Sequence, residues 1–109
     1  MILFSSEIEL DKNNKDKMTK LIIDAARDKI FLMIIDNDMN YNISHENSKI
    51  NYERLILLII EFLNSKNLDL KKISKIYVNR GPGSFAGIRN SLSIVKAIHI
   101  VNKIDYFCF

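Results

Sequence analysis

The chain has 109 residues, of which about half are apolar, and its formal net charge is +3. That length is enough for one domain with a buried core and too short for two. No apolar run approaches the roughly eighteen residues that a membrane span requires, and the single cysteine, Cys108, excludes an internal disulfide. The composition indicates a small globular protein of a reducing compartment, so we expect a cytoplasmic location and no membrane contact.

The chain opens with a short apolar segment and a polar run, which together occupy residues 1–17 and predict a solvated tail. Apolar runs at 20–26 and 30–35 then predict two antiparallel strands. A turn at 36–38 leads to an alternating segment at 39–45, which predicts a third strand. The first part of the chain is therefore expected to form a three-stranded antiparallel meander.

Candidate catalytic and metal-binding groups are sparse along the chain. His45 and His99 are the only histidines, and neither has a cysteine or carboxylate at ligand spacing. Asp36 and Asp38 form a pair, but they lie in a turn, where solvated aspartates are common. We predict no catalytic residue, no metal site and no cofactor.

Two segments, 50–64 and 84–101, predict helices with more apolar surface than one sheet-facing stripe requires. Apolar positions of the first cover an arc of roughly 200°, whereas a single stripe needs only about 100°. Two explanations stay open: a compositional bias that inflates the apolar content, or a second flank that packs on a partner. The candidate partner surface consists of Tyr52, Leu57, Leu58, Phe62, Ile94, Ile98 and Val101.

A glycine loop at residues 80–89, RGPGSFAGIR, holds all three glycines and the only proline of the chain. It connects a predicted strand at 75–79 to the helix at 84–101. The residues singled out in it are Arg80, Gly81, Pro82, Gly83, Ser84, Phe85, Gly87 and Arg89. We expect Ser84 to cap the helix, Gly83 to occupy a backbone position closed to a Cβ, and Gly87 to let the helix pack closely on a strand.

Such a loop is compatible with a tight corner or with an anion cradle, because a helix N-terminus offers free amides. A Walker loop requires Gly-Lys-Ser/Thr at its end, which this sequence lacks. The dinucleotide fingerprint fits the spacing from Gly81 to Ala86, but it needs an acidic residue after the next strand. Asp105 precedes that strand instead. The residues alone favour the corner and leave the cradle open.

The decapeptide closely resembles the signature of the TsaB family, also called YeaZ, whose usual form is Gly-Pro-Gly-Ser-Phe-Thr-Gly-Val/Ile-Arg. Ala86 is the one departure in its core. The family belongs to the actin-like ATPase superfamily, so the resemblance implies an α/β fold: a ribonuclease-H-like half-domain of order β-β-β-α-β-α-β with a mixed sheet. The resemblance covers residues 18–109 and implies that Met18 begins the domain, with 1–17 as an extension. Family members continue into a second, similar half, which we expect to be missing here.

The resemblance also implies a function. TsaB proteins are noncatalytic subunits of the machinery that makes threonylcarbamoyladenosine at adenosine 37 of tRNA. The implied partner is a TsaD-like catalytic subunit that docks on the helices at 50–64 and 84–101. The resemblance also implies a TsaE-like ATPase in the assembly and only indirect contact with tRNA. A homodimer through the same helices is another option. In catalytic relatives the first hairpin grips phosphate, but Ala25 stands here where threonine is usual, after Asp24. The alternatives are a small phosphate- or nucleotide-binding protein that uses the amides from Gly83 to Gly87, and a decayed fragment.

Overall fold

The computed structural model describes residues 18–109, and the expected extension at 1–17 lies outside the described residues. The strands are β1 (Thr19–Asp24), β2 (Lys29–Asp36), β3 (Met39–Glu46), β4 (Ile73–Val78) and β5 (Asp105–Cys108). The helices are α1 (Lys49–Glu53), α2 (Leu55–Ser65) and α3 (Phe85–Asn102), with a short 3-10 helix at Leu70–Lys72. None of the helices in this part of the chain is long and apolar enough to cross a membrane.

The five strands form one mixed sheet in the order β3-β2-β1-β4-β5. The meander β1-β2-β3 is antiparallel, as its sequence pattern predicts. Its two-residue turn contains Asn37, which has φ 57°, a conformation that asparagine tolerates well. β4 pairs in parallel with the other edge of β1, and β5 pairs in parallel with β4. The expected element order is therefore confirmed.

The helix expected at 50–64 is interrupted at Arg54, whose backbone leaves the helical region with φ −101° and ψ 12°. The amide of Arg54 still donates to the Ile50 carbonyl, and the amide of Leu58 donates to the Arg54 carbonyl. The two helices therefore follow one another in nearly the same helical phase. Ser48 begins the first of them, because its hydroxyl accepts from the Asn51 amide at 3.2 Å.

Alternate residues of the strands point to opposite faces of the sheet. Leu21 and Ile23 belong to the main core, which the strands form with the helices, whereas Ile22 lies in a smaller cluster on the other face. Ile35 and Tyr77 complete that smaller cluster, and all three residues are buried. The helices therefore cover one face of the sheet, and the glycine loop begins where β4 ends, beside the central strand β1.

Part of the expected partner surface is wrong, because Leu58, Phe62 and Ile98 are core residues with 5%, 4% and 5% exposure. They belong to the main cluster between helices and sheet. In α2 the buried positions span an arc of about 140° at 100° per residue. The sheet therefore buries a wider part of the helix surface than the arc of about 100° that a single stripe needs. Residues on the flank of the predicted arc therefore face the sheet and not solvent.

Candidate functional site

The carboxyl ends of β1 and β4 are joined by a polar network around Asp24. Its Oδ1 accepts from the Ala26 amide and from Asn79 Nδ2, both at 3.1 Å. Asn79, which is 8% exposed, uses its Oδ1 to accept from the Gly81 amide at 2.8 Å. Arg27 Nε lies 3.7 Å from Asp24 Oδ2 with a largely exposed side chain. The Asp24 carboxylate therefore holds β1 to the start of the glycine loop.

The glycines of the loop permit a close approach by the backbone that follows β1. A Cβ on Gly83, which has φ 158°, would lie 2.1 Å from the Ala26 carbonyl oxygen. A Cβ on Gly87 would lie 1.9 Å from the Ala25 carbonyl oxygen. Both distances are far below van der Waals contact. The expectations for these two glycines are therefore confirmed, and the chain segment that needs the space is the one at residues 25–26.

Ser84 links three elements at the N-terminus of α3. Its amide donates to the Ala26 carbonyl at 2.8 Å. Its hydroxyl accepts from the Gly87 amide at 3.3 Å, which confirms the predicted cap. The Tyr52 hydroxyl lies 2.7 Å from the same Ser84 oxygen. A residue expected at a partner surface thus ties α1 to the glycine loop.

These contacts help to decide whether the glycine loop is a tight corner or an anion cradle. Two of the amides that a phosphate cradle would use, those of Ser84 and Gly87, already donate within the protein. The space made by the glycines is filled by the backbone at 25–26. Within residues 18–109 there is also no group of three or more histidine, cysteine or acidic side chains placed to hold a metal ion. The geometry favours the corner.

The remaining motif residues are not drawn into this network. Arg80, Pro82, Phe85 and Arg89 are exposed, and the amide of Arg80 donates to the Phe109 carbonyl at 3.0 Å. Gly81 is half-buried against Ile88, whose side chain would meet a Cβ at 2.7 Å. The loop therefore presents charged and aromatic side chains outward while its backbone faces the sheet.

Two contributors to this network were not predicted from the sequence: the Asn79 side chain and the Ala26 backbone. Asn79 follows β4 directly, and its bond to the amide two residues on is a common asparagine turn. That pattern was visible in the sequence. Its second bond, to Asp24, was not visible, because it joins residues that are distant in the chain.

A second feature of interest is the apolar surface of the helices. Leu57 on α2 and Val101 on α3 are 50% and 78% exposed, whereas Tyr52 and Ile94 are half-buried. A cleft of about 280 Å³ opens near the C-terminal ends of α2 and α3. Its lining includes Ile60, Leu63, Leu70 and Asn102. We call Leu57, Ile60 and Val101, together with this cleft, the inter-helix surface.

Comparisons with known proteins match the chain to a family and to relatives that are named for tRNA modification. A family model described as "TsaD: tRNA N6-adenosine threonylcarbamoyltransferase" matches residues 44–107. The chain is 28% identical over 82 residues to the tRNA threonylcarbamoyladenosine biosynthesis protein TsaB of Buchnera aphidicola subsp. Baizongia pistaciae, covering 75% of this chain and 37% of that protein. It is 26% identical over 87 residues to the TsaB of Buchnera aphidicola subsp. Schizaphis graminum, covering 80% and 41%. The chain thus spans about two fifths of the length of these relatives.

Solved structures show the same fold at lower identity. YeaZ from Pseudomonas aeruginosa has a TM-score of 0.78 at 17% identity, over 84% of this chain and 43% of that one. Thermus thermophilus RuvC, solved in complex with a Holliday junction substrate, has a TM-score of 0.57 at 11% identity, over 84% of this chain and 64% of that one. These likenesses concern the fold alone. They confirm the expected α/β architecture, a mixed sheet with helices of the ribonuclease-H-like half-domain type.

Proposed function

This chain belongs to the family that the TsaD model describes, as a partial-length TsaB-type member, and from that premise we propose that it is a noncatalytic subunit of the threonylcarbamoyladenosine machinery. Its proposed partner is a TsaD-type catalytic protein, which docks on the inter-helix surface. The proposed role is that of a scaffold that supports modification of tRNA without contacting the reacting atoms.

The observation that carries this proposal is the apolar surface of the helices. Six of the nine large hydrophobic side chains that are exposed within residues 18–109 lie on α1, α2 or α3. Three of them, Leu57, Ile60 and Val101, belong to the inter-helix surface, and a patch of exposed apolar residues is typical of a site where a partner protein binds. The cleft beside Ile60 provides a concave site in which a partner side chain fits.

The geometry of the glycine loop supports a structural and noncatalytic role. Several of the groups that would serve phosphate chemistry there are already engaged: the Asp24 carboxylate with Asn79 and the Ala26 amide, and the Ser84 amide with the Ala26 carbonyl. A carboxylate oxygen that already accepts from one backbone amide and one side-chain amide is poorly disposed to bind a metal–nucleotide complex. The loop instead fixes the start of α3, the helix that contributes Val101 to the inter-helix surface.

Co-purification with a tagged TsaD-type protein from the same genome tests the proposal. Leu57→Glu and Val101→Glu are expected to keep the fold by circular dichroism, because both side chains are largely exposed. In a complex each would place an unpaired carboxylate in an apolar interface, which is strongly unfavourable. Both variants should therefore lose the partner.

Met39→Glu serves as the matched control, because Met39 is 55% exposed but lies on the edge strand β3. It should bind as the wild type does. Failure of the wild-type chain to bind the partner would overturn the scaffold role. Folded Leu57→Glu and Val101→Glu variants that still bind would place the docking surface elsewhere.

The phosphate-binding alternative is tested by calorimetry with ATP and AMP. No saturable heat is expected from the wild-type chain, because the amides of Ser84 and Gly87 already donate within the protein. Saturable heat from the wild-type chain would favour the alternative over the scaffold role.

A further inference from the structure

The face of the sheet opposite the helices carries a small apolar cluster formed by Ile22, Ile35 and Tyr77. Ile22 and Tyr77 are each 2% exposed. The partly buried apolar residues that pack on the cluster are Met33 and Phe109, and in the described part of the chain no helix residue belongs to it. Side chains on an open sheet face stand away from the sheet, so their outer ends contact water. The burial of this cluster therefore requires a further layer over the face.

The burial of a charged residue on the same face indicates the same layer. Lys20 precedes Ile22 by two residues on β1, which places both side chains on one face. Only 1% of Lys20 is exposed, whereas a lysine on an open face keeps its ammonium group in water. Lys20 also lies opposite Lys75 in the β1–β4 register. Because like charges across neighbouring strands are unfavourable, a covering layer that contains carboxylates is favoured here.

The apolar surface continues from the cluster towards β5. The rings of Tyr77 and Phe107 stack with their centroids 5.5 Å apart, and Phe107 is 40% exposed. Lys75 Nζ lies 5.7 Å from the centroid of the Phe107 ring. The face therefore combines apolar and aromatic side chains with two lysines, and it fits a segment that offers apolar side chains together with carboxylates.

Residues 1–17 lie outside the described part of the chain, and their composition falls into two parts. The seven residues at 11–17 are all polar or charged. Six of the first ten are apolar: Met1, Ile2, Leu3, Phe4, Ile8 and Leu10. Glu7 and Glu9 flank Ile8. The first ten residues therefore have the chemistry that the face requires.

The position of this segment in the chain brings it close to the cluster. β1 begins at Thr19, and Ile22 lies three residues further along the strand, a distance of about 10 Å. Ile22 pairs with Tyr77 on the neighbouring strand β4. A polar run of seven residues, 11–17, spans at most about 25 Å. That reach is enough for residues 1–10 to turn back over the cluster.

We propose that residues 1–10 of the same chain cover this face, with their apolar side chains on the cluster and their two glutamates towards the two lysines. The domain then has three layers: the helices, the sheet and the N-terminal segment. Composition predicts a solvated tail for all of residues 1–17, and the proposal keeps that prediction for the polar run alone. The proposal goes beyond the scaffold role. It concerns the face opposite the inter-helix surface, so either proposal can fail without the other.

Tryptophan fluorescence of the full chain tests the contact. The sequence contains no tryptophan, so a single introduced one reports only on its own surroundings. Phe4→Trp places the probe in the apolar part of the segment, and Lys15→Trp is the matched control in the polar run. The probe at position 4 should emit at shorter wavelength and be quenched less by acrylamide than the control. Its emission should not change with protein concentration, because the contact lies within one chain.

A second substitution on the sheet shows whether this face is the one that is covered. Met33→Glu, added to the Phe4→Trp chain, places a carboxylate beside the cluster and should move the emission to that of the Lys15→Trp control. Met39→Glu makes the same change at an exposed position. Asn42, three residues on, pairs with Met33, so Met39 lies on the other face. Met39→Glu should leave the emission unchanged.

Two further variants keep the test decisive if Met33→Glu does not fold by circular dichroism. Phe107→Ser changes a more exposed position of the same face and should shift the emission part of the way. Ile8→Asp, in the otherwise wild-type chain, should lower the melting temperature by about 5 °C or more, while Asn14→Asp in the polar run should change it by less than about 2 °C.

Three results would each overturn the proposal. The first is a probe at position 4 that emits and is quenched like the control, because the segment would then be solvated. The second is a shielded probe that does not respond to changes on this face, which would place the segment elsewhere. The third is an emission that depends on protein concentration, which would mean that the face is covered by the segment of another copy.

Discussion

Gly87→Ala is the sharpest test of the glycine corner, because two effects on stability have opposite signs there. Gly87 lies in the first turn of α3. In an ordinary helix position, alanine in place of glycine stabilises by about 1 kcal/mol. Here the added Cβ would lie 1.9 Å from the Ala25 carbonyl oxygen and 3.0 Å from a ring carbon of Tyr52.

The magnitude follows from that overlap. A relaxed carbon–oxygen contact lies at about 3.3–3.6 Å, so the helix and the segment after β1 must separate by more than an ångström. The obstacle is backbone, which has no rotamer to change, and overpacking of a core contact costs about 1–3 kcal/mol or more. We expect a net loss of about 1–3 kcal/mol, and thus a melting temperature lower by about 5–20 °C for a domain of this size.

Thermal unfolding followed by circular dichroism is the assay, and Ala86→Gly is its matched control. Ala86 is the exposed neighbour in the same turn, and its replacement should cost about 0.5–1 kcal/mol through backbone entropy alone. If propensity governed both positions, the two variants would shift the melting temperature in opposite directions. A Gly87→Ala protein that melts at or above the wild-type temperature would refute the close-approach argument.

Four further variants test the contacts around this corner and the assignment of the core. Tyr52→Phe should destabilise by about 0.5–1.5 kcal/mol in urea unfolding, because it removes the hydrogen bond to Ser84; an unchanged midpoint would show that the bond contributes nothing. Asn79→Ala should cost about 1–3 kcal/mol, since the half-buried Gly81 amide loses its acceptor, and a neutral result would contradict the network. Leu58→Ala should cost about 2–5 kcal/mol while Leu57→Ala stays within about 0.5 kcal/mol; equal losses would place both leucines in the core.

The elements that depend only on neighbouring residues could be predicted from the sequence. The meander follows from two apolar runs, an alternating segment and a turn that contains Asn37, all of which depend on neighbours in the chain. The corner at Gly83 and Gly87 was also predictable, because a loop that concentrates every glycine signals close backbone approach. The segment that makes the approach could not be named, since residues 25–26 are distant in sequence.

Leu58, Phe62 and Ile98, which were assigned to the partner surface, show what the apolar periodicity of a helix cannot predict. A helical wheel gives the direction of a side chain, but the width of the sheet beneath it decides how far around the helix the core extends. Leu58 and Leu57 are adjacent in sequence, yet one is 5% and the other 50% exposed. Similarly, nothing local indicated that the Tyr52 hydroxyl would reach Ser84, because that bond depends on how α1 lies against α3.

The position of β1 in the sheet has a consequence for how the chain acquires its structure. Leu21 pairs with Ile34 within the meander but with Ile76 on its other side. During synthesis the hairpins close as soon as they emerge, since local pairing requires only a short loop. The second edge of β1 stays unpaired until β4 has been made, and in that interval it is a strand edge open to other chains. Variants that delay the docking of α3 are therefore expected to reveal themselves first as aggregation during expression, before any loss of stability is measured in the purified protein.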